Sequence, residues 1–88
     1  MKISVQKLTE DEVKNKGINK WPVWTKEISK FDWFYDENEQ CLFLEGKVKI
    51  HTNNETIEIS KGDFVTFPKG LSCVWEIIEP VKKYYNFY

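Results

Sequence analysis

Apolar and polar positions alternate with a period of two along most of this chain, the pattern of strands that bury one face. Ile3 and Val5 open it as a short first strand. Trp21-Pro22-Val23-Trp24 and Phe31-Asp32-Trp33-Phe34-Tyr35 are aromatic segments suited to strands, with Pro22 placing its segment at an edge or a strand start. Cys41-Leu42-Phe43-Leu44 is an apolar run that ends at Gly46. Val48–Thr52 and Glu55–Ile59 flank Asn53-Asn54, a two-residue loop tolerant of positive φ. That hairpin sets Ile50 against Ile57, Val48 against Ile59 and, on the other face, Lys49 against Glu58. Lys61-Gly62-Asp63 predicts a turn, Phe64–Phe67 a strand and Pro68-Lys69-Gly70 another turn. Ser72–Ile78 is the next strand, Pro80 breaks it, and Val81–Phe87 supplies the last.

The one helical signal is Thr9-Glu10-Asp11-Glu12, a capping box that opens a turn or two closed by Gly17. Short strands at regular spacing with Gly and Pro turns predict an all-β sandwich or closed barrel. Parallel α/β folds are excluded, because crossover helices have nowhere to come from.

Composition narrows this further. With 88 residues the chain makes one domain, residues 1–88, near the lower size limit for a single core. Its 16% aromatic content is how so small a barrel fills its interior. A net charge of −1 excludes nucleic acid and anionic membrane as partners, since both need a basic face. All 13 cations are Lys, so the chain holds no guanidinium clamp for phosphate or carboxylate. Without a signal-peptide or membrane-spanning run it is expected to be soluble and cytoplasmic. Cys41 and Cys73 are then expected as reduced thiols.

Trp21-Pro22-Val23-Trp24, Phe31-Asp32-Trp33, Leu44-Glu45-Gly46, Lys61-Gly62-Asp63, Phe67-Pro68-Lys69-Gly70 and Pro80-Val81, six fragments in order, resemble the short single-domain members of the cupin_3 family. That family includes the ureidoglycine aminohydrolase-like and EutQ-like cupins. The resemblance implies a double-stranded β-helix, the jelly roll of RmlC-like cupin barrels, with a ligand pocket at one end and commonly a homodimer. It also implies a metal held by three His and one Glu. Here Trp33 and Tyr35 stand at the first pair of His positions, Cys73 at the third, and Glu39 alone is kept. Indole has no lone pair to offer a metal and neutral phenol is a poor ligand, so no metal or other cofactor is expected.

If the family register holds, alternation turns Trp33, Tyr35, Glu39, Cys41, Phe43, Cys73 and Trp75 inward. Glu39 is then either a carboxylate of raised pKa, suited to acid–base work or to gripping an NH-bearing ligand, or a carboxylate hydrogen-bonded at the barrel mouth. Cys73 is either a nucleophile or a small buried hydrophobe. Phe43 and Trp75 read as pocket wall or core. An aromatic cage for a cation, walled by Trp33 and Tyr35 with Glu39 as counter-charge, is a further reading. The sole His51 falls outside the core. Three functions follow: a metal-free barrel holding a small polar or nitrogenous metabolite, a ureidoglycine aminohydrolase-like enzyme, or a structural and regulatory barrel without pocket chemistry. Glu39 locked to a Lys would favour the last.

Overall fold

In the computed structural model, which describes residues 2–88, the alternating segments form seven strands, all paired antiparallel. The chain runs β1 (Ser4–Lys7), α1 (Glu10–Asn15), a 3-10 turn at Ile18–Lys20, β2 (Val23–Lys26), β3 (Ser29–Phe34), β4 (Glu39–His51), β5 (Thr56–Ser60), β6 (Asp63–Phe67) and β7 (Ser72–Phe87). Thr9 caps α1 through the reciprocal bonds of the predicted capping box, Glu12 N–H to Thr9 Oγ1 at 3.1 Å and Thr9 N–H to Glu12 Oε1 at 3.0 Å. Gly17 closes the segment at φ 69°.

Two long strands organise the barrel. β4 and β7 pair with each other along their length; the first half of β4 also pairs with β6, which β1 extends, and the second half of β7 with β2, while the remaining halves pair with β5 and β3 respectively. Both strands therefore pass from one half of the jelly roll to the other. The crossing lies at Gly46 and Pro80, where the β4–β7 register shifts three times between Phe43 and Val48. Gly46 sits at φ 98°, and a Cβ there would stand 2.8 Å from the Pro80 carbonyl carbon. Only glycine fits. Gly46 thus bends a strand rather than ending one, and Pro80 lies inside β7 rather than breaking it, because a bulge leaves room for a residue without an N–H.

The β4–β5 hairpin has the expected register, with Ile50 opposite Ile57, Val48 opposite Ile59 and Lys49 opposite Glu58. Its turn differs from expectation. Asn53 and Asn54 keep negative φ, and the Thr52 hydroxyl accepts from Asn54 N–H and Glu55 N–H instead. The main core joins both halves through Tyr35, Cys41, Phe43, Val48, Ile50, Phe67, Trp75 and Ile77 among others. A smaller cluster of Ile18, Leu42 and Phe64 lies where the α1 segment covers the outer face, so Leu42 is buried between inward-facing Cys41 and Phe43. Among the described residues, no helix is long and apolar enough to cross a membrane.

Candidate functional site

Period two brings Glu39, Cys41 and Phe43 of β4 to the inner face, and Val81, Lys83 and Tyr85 of β7 with them. Register puts Lys83 between Phe43 on one side and Trp24 on the other, so the lysine stands in the middle of an interior row. Its Nζ donates to Glu39 Oε2 at 3.2 Å and to Cys41 Sγ at 3.2 Å. Three aromatic rings surround the ammonium, with centroids at 4.8 Å for Trp75, 4.9 Å for Trp24 and 5.9 Å for Phe43. Glu39 and Lys83 are each only 4% exposed. Removing two charges from water costs several kcal/mol per ion, on the order of what a well-placed pair with extra contacts offsets. The rings add about 0.5–2 kcal/mol each as cation–π contacts.

This pair lines a cavity of about 670 Å³ whose walls include Trp24, Phe31, Trp33, Tyr35 and Trp75. Tyr35 is fixed twice. Its hydroxyl accepts from Trp75 Nε1–H at 3.1 Å, and its ring stacks on Phe67 at 4.8 Å and 8°. Burial first, and Glu39 next, hold that phenol well above its usual range, so it stays neutral. Trp33 keeps the inward phase but lies where the barrel opens, 48% exposed and edge-on to Tyr35 at 6.4 Å. It is a rim residue rather than a buried wall.

The predicted site residues therefore separate. Trp33, Tyr35, Glu39 and Trp75 meet around one cavity, with Phe43 beneath the ammonium. Cys73 is buried opposite Trp33 and lines a different cleft with Trp33 and Asn53. Burial pushes the Cys73 thiol up to about 11, which works against a nucleophile and agrees with a small buried hydrophobe. Cys41 goes up to about 12, chiefly by burial, with Lys83 pulling the other way. Both cysteines are free. His51 lies away from the Glu39 cavity but lines the Cys73 cleft, with Nδ1 2.9 Å from Thr56 Oγ1 and Nε2 2.8 Å from Glu76 Oε1; the contact with Glu76 holds that carboxyl below its usual range.

The aromatic cage exists, but its occupant and walls differ from expectation. It is built by Trp24, Phe43 and Trp75, and it holds the protein's own Lys83. The same lysine is the counter-charge of Glu39, the lock that would favour a structural barrel. It also bears on the fit of a family metal. No group of three or more His, Cys, Asp or Glu side chains converges among the described residues, and the retained Glu39 is bonded to an ammonium. This donor set does not fit a cupin metal. Lys83 and Trp24 escaped the sequence reading, although Val81-Lys83-Tyr85 carries the alternation that turns Lys83 inward.

With this geometry in hand, comparison with known proteins is specific. The family model for the EutQ-like cupin domain, Cupin_3, matches residues 13–85. A DUF861-family protein from Thermotoga maritima is 49% identical, superposes with a TM-score of 0.96, and is matched over 99% of this chain and 100% of that one. The Clostridium difficile EutQ protein has a TM-score of 0.70 at 16% identity, over 98% of this chain and 67% of that one. A putative ethanolamine utilization protein Q from Salmonella typhimurium has 0.69 at 18%, over 100% and 70%. These last two likenesses speak for the fold alone. No curated protein matches the sequence.

Proposed function

The chain belongs to the EutQ-like cupin domain family, and from that premise we propose that its barrel binds a small, planar, polar metabolite without the metal usual in cupins. One observation carries the reading: a buried Glu39–Lys83 ion pair lines an aromatic-walled cavity of about 670 Å³. Cavities of this size hold small molecules, and a few convergent polar groups on apolar walls orient them. Trp24 and Trp75 supply indole walls, Tyr35 shapes the wall, and Trp33 stands at the rim to cover a bound ring. Glu39 accepts hydrogen bonds and Lys83 donates them, so the ligand carries an NH, a carbonyl or both. A ureidoglycine aminohydrolase-like reaction gains no support from this donor set, because no group of three or more His, Cys, Asp or Glu converges among the described residues to hold its metal.

The structural reading keeps one observation in its favour, the ion pair itself. Yet buried pairs are often no more stabilising than apolar residues of similar volume, and a structural pair has no need of a cavity in front of it.

Thermal-shift screening of small heterocyclic amides and amines tests the proposal with wild type, Trp33→Ala and Lys83→Met. Saturable stabilisation of wild type is expected. Loss of the half-exposed Trp33 should weaken it about tenfold, or about 1.4 kcal/mol, without unfolding the barrel. Lys83→Met should abolish it. Equal stabilisation of all three proteins would place the ligand elsewhere, and no stabilisation would leave the structural barrel.

A further inference from the structure

Lys83 differs from an ordinary buried lysine in three respects: it lines a cavity, a carboxylate is bonded to it, and its charge is held by rings rather than water. We propose that Lys83 is a covalent carbonyl-binding residue, which condenses with a small aldehyde or ketone in the Trp24–Trp75 cavity to form an imine, with Glu39 moving the protons. The inference rests on the pocket reading above and gives its ligand a chemical class.

The step balances within the residues present. The Lys83 ammonium transfers a proton to Glu39, and the freed lone pair attacks the carbonyl carbon, forming N–C as the C=O π bond opens. Glu39 returns its proton to the new alkoxide and takes one from nitrogen, giving the carbinolamine. It then protonates the hydroxyl, which leaves as water while nitrogen forms the C=N bond. Ammonium and carbonyl have become a protonated imine and water, with no change of charge and no further reactant.

The surroundings fit this sequence. Glu39 Oε2, 3.2 Å from Nζ, lies within hydrogen-bond reach of the atom it must serve. Site charge is unchanged: an ammonium–carboxylate pair becomes an iminium–carboxylate pair, and the rings face a cation in both. Cys41 Sγ at 3.2 Å anchors the nitrogen as a neutral thiol and does not compete for the carbonyl. The planar imine and its substituent would lie against the indole walls.

Reductive trapping tests the proposal. Wild-type protein is mixed with limiting benzaldehyde and cyanoborohydride, and benzylated lysines are located by peptide mapping at short times. Lys83 should carry adduct at least tenfold ahead of the exposed lysines despite its burial. Glu39→Gln should slow its labelling at least tenfold and leave the others unchanged, while Lys83→Arg should remove the fast phase. Should either variant fail to fold, acetaldehyde competing with benzaldehyde for Lys83 in wild type serves instead, with site-selective competition as the expected result. Benzyl alcohol, which cannot condense, separates the two readings through tryptophan fluorescence. Saturable quenching with Lys83 unlabelled would overturn the imine and leave the pocket. No quenching, with adduct spread only over exposed lysines, would overturn both.

Discussion

The buried pair is the residue on which this account depends, and it makes an asymmetric prediction. Lys83→Met leaves the Glu39 carboxylate in an aromatic interior without its cation, which should cost about 3–5 kcal/mol in urea unfolding. Adding Glu39→Leu to that variant should recover most of the loss, because the double change removes both desolvated charges. If the double variant is as unstable as the single one, the pair contributes through geometry rather than charge. Tyr35→Phe takes the acceptor from Trp75 Nε1–H and should cost about 1–3 kcal/mol in the same experiment. Inward phase at Tyr35, Glu39, Cys41, Phe43, Cys73 and Trp75 was legible in the alternation under the family register, and all six are buried, while Trp33, read with them, is half-exposed at the rim. Lys83 was not legible, because composition places lysine outside while register alone places this one inside. A cation caged by Trp33 and Tyr35 was foreseen as a ligand; the caged cation is a side chain, supplied by a strand far along the chain and walled by Trp24, Phe43 and Trp75.

At the scale of elements, what depended on neighbours in sequence was readable and what depended on distant pairing was not. The β4–β5 register follows from five residues on each side of a turn, and the α1 cap from four consecutive residues. The continuity of β4 through Gly46 and of β7 through Pro80 follows from how these two strands meet, which neither sequence segment reveals alone. Gly46→Ala should therefore be the more damaging of two glycine substitutions. It adds a clash with the Pro80 carbonyl to the strain of φ 98° and should cost roughly 1–3 kcal/mol or more. Gly17→Ala, also at positive φ but with nothing within 4 Å, should cost only the local strain, about 1–2 kcal/mol. Paired denaturant midpoints check the order; equal losses would mean that β7 moves away from β4 at little cost.

For the whole molecule, the aromatic interior sets both stability at alkaline pH and function. Burial pushes the Cys41 thiol up from its ordinary value near 9 to about 12 in the folded chain, and Cys73 to about 11. Below 9 both states hold the protons and full stability is present. As pH rises beyond 9 the unfolded state releases them first, so stability falls and this contribution is lost by about 12. Unfolding free energies measured from pH 8 to 11 should decline, and less steeply in Cys41→Ala; an identical slope would exclude Cys41 as a cause. The fold was readable at this scale because the spacing of Gly and Pro turns predicts a sandwich or barrel and the resemblance to the cupin_3 family chooses the barrel, while the site was readable only in part because its cation comes from the last strand. The central claim, a metal-free pocket built on Glu39 and Lys83, meets its most direct test in the indole N–H signals of the protein titrated with planar amide and carbonyl fragments. Trp24 and Trp75 should shift saturably together in wild type and stay still in a folded Glu39→Leu/Lys83→Met variant. Fragments that leave both indoles unmoved, or move them equally in the variant, would contradict it.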